Sequence, residues 1–264
     1  MDASPALVPA SRPEMIWTWE RRIARAVELQ SRFPESSSLL TFYGHVARHQ
    51  KAIADKLIVD PETDPCTLAI YYPELLKLVN RHGPHELATY AREELSTSAA
   101  QEDLLMDLWG GNPPESEPAK FFARALLQPF AESLAAQGQP DTESAVSNCP
   151  FCGARPVAGI LRGEGEGAKR SLLCSLCATE WQYRRIVCPS CGEENKDHLP
   201  VYLADELDYV RVDACDTCRT YIKSVDLTKN GHAVPVIEEL ATLTLTLWAE
   251  ENGYAKFETN LLGM

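Results

Sequence analysis

Eight of the nine cysteines in this chain fall between Cys149 and Cys218 as four C-x-x-C pairs, reading CPFC, CSLC, CPSC and CDTC. The pairs are Cys149/Cys152, Cys174/Cys177, Cys188/Cys191 and Cys215/Cys218, separated by 21, 10 and 23 residues. A C-x-x-C turn aims two thiolates at one ion while backbone N–H groups face the sulfurs, so two turns make a closed tetrahedral cage. Eight cysteines therefore predict two cages. In each outer gap the residues can run out and back as a β-hairpin, which returns the second pair beside the first. Residues 157–161 and 170–173 form the expected arms of one hairpin, with Gly163, Gly165 and Gly167 at its tip. Residues 201–204 and 209–212 form those of the other, turning through 205–208. The simplest assignment is two consecutive ribbons, Cys149/Cys152/Cys174/Cys177 and Cys188/Cys191/Cys215/Cys218. A cross-braced alternative, first turn with third and second with fourth, leaves each hairpin unclosed by its own metal.

Length and charge bound the rest. At 264 residues the chain has room for one large or two modest domains. Lys and Arg total 25 against 38 for Asp and Glu, a formal charge of −13 that repels a phosphate backbone and argues against broad nucleic-acid binding. The opening MDASPALVPASRPEM lacks the basic end and apolar core of a secretory signal, and no run approaches the ~18 apolar residues of a membrane span. The expectation is a soluble, cytoplasmic protein, in which closely spaced C-x-x-C pairs serve as metal thiolates rather than disulfides. Cys66 stands apart and reads as a buried, small apolar side chain.

Before the cysteines the periodicity is helical. After about fifteen Pro-rich and small residues, an amphipathic helix is expected over 16–33, ended by Pro34, and a second to about residue 57. A third over 68–80 must kink or start late because of Pro73. Further helices are expected at 85–94, 100–109 and 121–136, the last bent at Pro129. His45 and His49 lie one turn apart but read as a surface or partly buried pair. His82 and His85 read as loop and cap residues. Residues 1–137 thus read as an all-helical domain with no catalytic constellation, followed by a polar linker at 138–148. The metal ribbons occupy 149–187 and 188–232, and a last helix at 236–252 lies within the final segment, 233–264. Ile237, Leu240, Leu243 and Leu247 are expected along one apolar side of that helix, a face compatible with domain packing or with a homodimer. The fold class is α+β: a helical domain, two small rubredoxin-like or zinc-ribbon β modules and a C-terminal helix.

Each ribbon is about thirty residues, below the ~40 at which a chain usually folds without a metal, disulfide or partner. A thiolate zinc site is worth roughly 10–16 kcal/mol in model fingers, so metal loss is expected to unfold this region. Arg155, Arg170, Arg184, Arg185, Arg219 and Lys223 offset the anionic cages and aid solubility, and Arg184-Arg185 is the best local candidate for an acidic partner surface. Tetrathiolate cages suit both zinc and iron. Four protein ligands leave no open position for hydrolytic catalysis.

CPFCGARPVAG, then CSLCATEWQYRRIVCPSCGE, CDTCRTYIK and EELATLTLTLWAEENGY, resemble the formate dehydrogenase accessory protein (FdhE) family. Glu180, Trp181, Arg185, Tyr221, Lys223 and Asn260 belong to the likeness. Ala178 stands where the family usually has glycine, Thr220 where a small residue is favoured, and Glu238-Glu239 where paired aspartates are typical. The resemblance implies two rubredoxin-like modules behind a helical region, with the eight cysteines as ligands, iron favoured and zinc compatible. Trp181, Tyr183 and Arg185 are expected to join the modules. It implies a non-enzymatic cytoplasmic factor that engages the catalytic subunit of respiratory formate dehydrogenase before export, with a redox role compatible with iron. Two other classes compete: a zinc-ribbon nucleic-acid module using Lys169, Arg170, Arg184 and Arg185, and a dithiol oxidoreductase using one C-x-x-C pair.

Overall fold

Thr18 opens the first helix, its hydroxyl accepting from the Arg21 backbone N–H at 3.3 Å. In the computed structural model, which describes residues 17–138, 141–143, 145–164, 167–204 and 207–264, helix α1 spans Trp19–Arg32. The Pro-rich start, Ile16, Gln139, Pro140 and Ser144 of the linker, Gly165 of the first hairpin tip and Asp205 of the second turn lie outside the described residues. Helix α1 stops one residue short of Phe33, whose following Pro34 disfavours further helix. A single 3₁₀ turn leads into α2, Ser37–Ala54. The third region starts late rather than kinking: residues Pro65–Tyr71 are 3₁₀, and α3, Tyr72–His82, places Pro73 in its first turn, where the missing N–H costs nothing. Helices α4 (His85–Glu93), α5 (Ser98–Trp109) and α6 (Glu117–Gln137) follow.

Helix α6 is the axis of the helical region, packed on α2, α4 and α5. Phe121, Phe122, Leu126, Leu127 and Phe130 are all buried, so apolar residues surround it instead of following one stripe. Pro129 sits inside it and removes the N–H that the Ala125 carbonyl would accept. The side chain of Gln50 on α2 supplies the substitute, its Nε2 donating to Ala125 O at 3.1 Å.

The β half is one seven-stranded sheet. The first ribbon contributes β1 (Pro156–Glu164), β2 (Gly167–Cys174) and β3 (Glu180–Gln182). The second contributes β4 (Val201–Leu203), β5 (Val210–Cys215) and β6 (Thr220–Asp226). The order is β3-β2-β1-β6-β5-β4, with the two-residue β7 (Ala255–Lys256) beside β6. The ribbons meet where β1 pairs with β6 in parallel, Gly159 opposite Ser224. A Cβ at Gly159 would lie 2.1 Å from Ser224 Oγ, so the missing side chain is what lets the strands close.

The expected last helix is two helices, α7 (Pro235–Ala241) and α8 (Leu243–Glu251), parted at Thr242 with φ −88° and ψ 54°. The cause is Lys223 of β6, which is fully buried. Its ammonium donates to the carbonyl of Glu239 and the hydroxyl of Thr246, and its third N–H is shared between the carbonyl and hydroxyl of Thr242, at 3.2 and 3.3 Å. A buried ammonium must be surrounded by acceptors, and here it draws them from backbone that would otherwise continue a helix. Lys223 was expected to be a solubilising countercharge to the thiolates; it is instead a core residue, with burial pushing its pKa down to about 8 against the pull of Glu239. The break also undoes the single apolar side, for Ile237 and Leu240 are buried while Leu247 is half exposed.

Helix α7 lies between the two halves, touching α1 and α2 on one side and β1 and β6 on the other. Arg25 of α1 meets Glu238 at 2.7 Å, and Tyr209 donates to the same carboxylate. Glu239 takes Lys223, Lys256 and the Asn260 amide. Arg124 of α6 binds Glu258 and the Thr259 carbonyl, fastening the tail to the helices. Substituting Gly159→Ala should cost about 1–3 kcal/mol of stability through overpacking at the seam. Ser224→Ala, which removes the obstructing hydroxyl, should recover part of that loss when combined with it, as a double-mutant cycle in urea would show.

Candidate metal centres

Each cluster is assembled from two hairpin-borne turns. The first turn, Cys149 to Cys152, precedes β1, and the second begins at Cys174, the last residue of β2. The third, Cys188 to Cys191, follows β3, and the fourth joins Cys215 at the end of β5 to β6. All four turns share one backbone device. The residue after each second cysteine is left-handed: Gly153 (φ 74°), Ala178 (φ 53°), Gly192 (φ 78°) and Arg219 (φ 57°). In three of them its N–H returns to the carbonyl of the first cysteine: Gly153 to Cys149 at 2.9 Å, Gly192 to Cys188 at 3.0 Å and Arg219 to Cys215 at 2.9 Å. The turn closes only if the chain adopts this conformation, which is easy for glycine and costly with a Cβ.

The sulfurs converge as consecutive sets. Cys149, Cys152, Cys174 and Cys177 form one group and Cys188, Cys191, Cys215 and Cys218 the other, with the sulfurs of each group within 4.8 Å of one another. The closest approaches are 3.5 Å for Cys149 to Cys177 and 3.4 Å for Cys152 to Cys174, then 3.7 Å for both Cys188 to Cys218 and Cys191 to Cys215. A tetrahedron with metal–sulfur bonds of ~2.3 Å has edges of ~3.8 Å, so the spacing suits a single ion; a disulfide, at ~2.05 Å, is far shorter. Both clusters could therefore hold a metal ion, zinc or iron alike. In the first, backbone N–H groups of Leu176 and Cys177 point to Cys174 Sγ at 3.3 and 3.4 Å.

The thiols are electrostatically unequal without a cation. Hydrogen bonds from Cys152, Cys174 and Cys177 hold Cys149 far below an ordinary thiol, whereas burial pushes Cys174 well above it. In the second cluster burial takes Cys215 up to about 12, while Cys218, despite the burial that opposes it, is brought down to about 6 by the Thr220 hydroxyl and neighbouring groups. Neighbouring thiolates repel, and a dication removes the conflict by ionising all four.

Two threonines complete the clusters and were not singled out from sequence. Thr179 Oγ1 lies 3.1 Å from Cys177 Sγ, and Thr220 Oγ1 lies 3.0 Å from Cys218 Sγ. Against a metal-bound thiolate each hydroxyl can only donate, which tunes the sulfur's basicity. The signal was present as C-x-x-C-x-T, repeated at Cys174 and Cys215.

The surroundings differ from several expectations. Trp181 and Tyr183 are buried: the Trp181 indole donates to Val146 O at 2.8 Å, and the Tyr183 hydroxyl faces Cys188 O at 3.5 Å. Arg185 is exposed, with only a long contact of 3.4 Å to Ala168 O. Tyr183 thus touches the second ribbon, and Arg170, which donates to Val187 O at 3.0 Å, reaches across to Asp213 of β5, beside the β1/β6 seam. Arg184 is engaged by Glu194 at 2.5 and 2.8 Å, an internal partner rather than an open acidic-surface contact. Arg155 stands over Phe257, and Arg219 stacks 4.0 Å from the Tyr254 ring centre. Lys169 is 3.8 Å from Glu143. Cys66, expected to be buried, is half-buried in the 3₁₀ turn before α3, where burial and Asp64 raise its pKa. His45 stacks on His82 at 4.0 Å, and neither belongs to a metal-compatible group among the described residues.

This chain matches a protein from Aquifex aeolicus named "Protein FdhE homolog" at 32% identity over 92% of this chain and 95% of that one. The chain belongs to the FdhE family. An FdhE homologue from Haemophilus influenzae (strain PittEE) is 28% identical over 92% of this chain and 87% of its own length. The FdhE central-domain model matches residues 148–185 and the FdhE C-terminal-domain model residues 174–262. The crystal structure of the FdhE protein from Pseudomonas aeruginosa is similar with a TM-score of 0.70 at 25% identity, covering 96% of this chain and 97% of that one. The likeness to FdhE proteins thus includes the helical region as well as the ribbons.

Ala178 and Arg219 are the turn positions at which this member of the FdhE family carries a Cβ in a left-handed conformation. Ala178→Gly should stabilise the metal-loaded protein by about 1 kcal/mol in thermal denaturation, and Gly153→Ala should destabilise it by a similar amount. Burial separates the two clusters. Three cysteines of the first are buried, whereas Cys191 of the second is exposed and Cys218 half-buried. A chelator should therefore strip metal in two phases, with Cys191→Ser abolishing the faster one; stopped-flow monitoring of metal release checks this.

Proposed function

We propose that this protein is a non-catalytic assembly factor for formate dehydrogenase, acting in the cytoplasm by engaging the catalytic subunit and carrying one metal ion on each four-cysteine cluster. The observation that carries the reading is the whole-length likeness to FdhE proteins combined with two closed four-sulfur cages. A cage with four protein ligands offers no open position to a substrate, so its chemistry is structural support or, with iron, one-electron transfer. Iron is the proposed occupant, held by the eight cysteines, with Thr179 and Thr220 adjusting the electron density of one sulfur in each cage. The proposed organisation retains a helical unit at 1–137, a joining segment at 138–148, ribbons at 149–187 and 188–232, and a closing segment at 233–264.

A cleft of about 990 Å³ between the helical region and the first cluster supplies a partner-sized surface. Leu108 and Trp109 of α5 form one wall, and Phe151, inside the first C-x-x-C turn, forms part of the other. Tagged full-length protein purified without air should retain the formate dehydrogenase catalytic subunit, identified by mass spectrometry, and contain two irons. Trp109→Glu and Phe151→Glu should reduce retention at least about tenfold without changing metal content. A metal-replete protein that retains no such subunit would remove the assembly reading. Two zincs in place of iron would remove the redox component alone.

A further inference from the structure

Beside the second cluster, where the ribbons join, lies a separate pocket of about 210 Å³. On the same measure a single water needs only ~10–15 Å³, so the pocket has room for a polyatomic ligand. Its charge is unlike that of the chain. Four cationic side chains line it, Arg170, Arg185, Lys196 and Arg211, against one carboxylate, Asp213, in a protein whose formal charge is −13.

The inner pair is built and held. The Arg170 side chain is 3% exposed; its Nη1 donates to Val187 O at 3.0 Å and its Nη2 lies 3.4 Å from Asp213 Oδ2. Arg211, 17% exposed, donates from Nη2 to Asp213 Oδ2 at 3.4 Å and brings Nε to 2.8 Å from Oδ1, at an angle too poor for a hydrogen bond. Ser224 donates to the same carboxylate at 2.7 Å. Two guanidiniums on one carboxylate leave a positive charge over beneath a half-open pocket, and the Nε atoms of both arginines have no hydrogen-bond partner among the described residues. A buried cation with an unused donor is costly unless an anion meets it. At the mouth, Arg185 and Lys196 are exposed, and no carboxylate among the described residues lies within ion-pair distance of either.

We infer that this pocket binds a carboxylate carried on a short apolar stem. The planar guanidinium fork matches a carboxylate in shape, and charge-assisted hydrogen bonds of that kind are the strong ones. Much of the rest of the lining is apolar: Val187, Leu199, Pro200 and Ile222 form walls that suit carbon better than a fully hydrated phosphate. Ile186 and Val201, about half exposed, extend the apolar surface at the rim. Cys188 and Cys215 also line the pocket, so a bound acid sits beside the second metal cage. This inference does not depend on the formate dehydrogenase reading. The carboxylate could be a free small acid or the C-terminus of a partner chain, and the chemistry of recognition is the same.

Calorimetric titration of the metal-loaded, full-length protein at constant ionic strength tests the inference. The probes are acetate, acetamide, phosphate, and a hexapeptide ending in leucine as the free acid or the amide. Saturable binding of acetate or the acid peptide, absent for acetamide and the amide peptide, is expected. Arg185→Ala/Lys196→Ala, altered only at the exposed mouth, should weaken it about tenfold. Acetate binding as tightly as the acid peptide assigns a small acid, and tighter binding of the peptide assigns a chain terminus. Absence of saturation, equal affinity in the mouth variant, or phosphate binding more tightly than both carboxylates would overturn the inference. The first of these would make the two arginines a countercharge to the thiolate cage alone.

Discussion

Four thiols brought within 4.8 Å are a demand for a cation, and the β half of this protein is arranged around making that demand twice. Sulfurs this close cannot all ionise without one, and buried thiols such as Cys174 resist ionising at all. The turns that place them share a left-handed residue after the second cysteine, and the hairpins between them bring the ends together. The ribbon strands follow from that geometry, and their apolar faces join the core of the helical half instead of forming small cores of their own.

One continuous apolar core runs through the helices, both ribbons and α7, and buried charge pairs fix how those parts meet. Asp213 gathers Arg170 from one ribbon and Arg211 and Ser224 from the other, on either side of the parallel seam. Helix α7 presents adjacent carboxylates, Glu238 to Arg25 of the helical region and Tyr209 of the sheet side, and Glu239 to Lys223 and Lys256. Arg22 and Glu132 repeat the theme inside the helical region, bidentate at 2.8 and 3.1 Å with both side chains 3% exposed. Such pairs add little net stability over apolar residues of the same shape, but leaving one partner alone is costly, so they penalise every arrangement except the one that completes them.

Much of this could be read from the sequence, and the limits fall where distant residues override local pattern. The cysteine sets and hairpins followed from spacing, and the helical half from its period. The paired helices at the C-terminus did not, because residues 236–252 are periodic enough for one helix and the break comes from Lys223, which precedes them on another element. The single sheet was equally hidden: β1 and β6 are parallel neighbours some sixty residues apart, and only the steric fit of Gly159 against Ser224 records the contact. Pro129 suggested a bend, yet nothing near it disclosed that Gln50 would serve its orphaned carbonyl. Ala178 was visible as an odd residue at a glycine position, and its left-handed backbone gives that oddity a physical meaning.

The parallel seam also sets an order of events. Strand β1 emerges from synthesis with β2 and β3 close behind it, so the first four sulfurs can gather while the second ribbon is still unmade. Its other edge then remains open until β6 arrives, the last strand of a β4-β5-β6 meander that starts at the far edge of the sheet. An open strand edge invites pairing with other chains, and contacts this far apart in sequence form late. At that point in the chain order the ligands of one cage are all present and a bare sheet edge lies beside them. Until β6 covers it, that edge is where a growing chain is open to pairing with other strands, so the second ribbon protects the first as well as building its own cage.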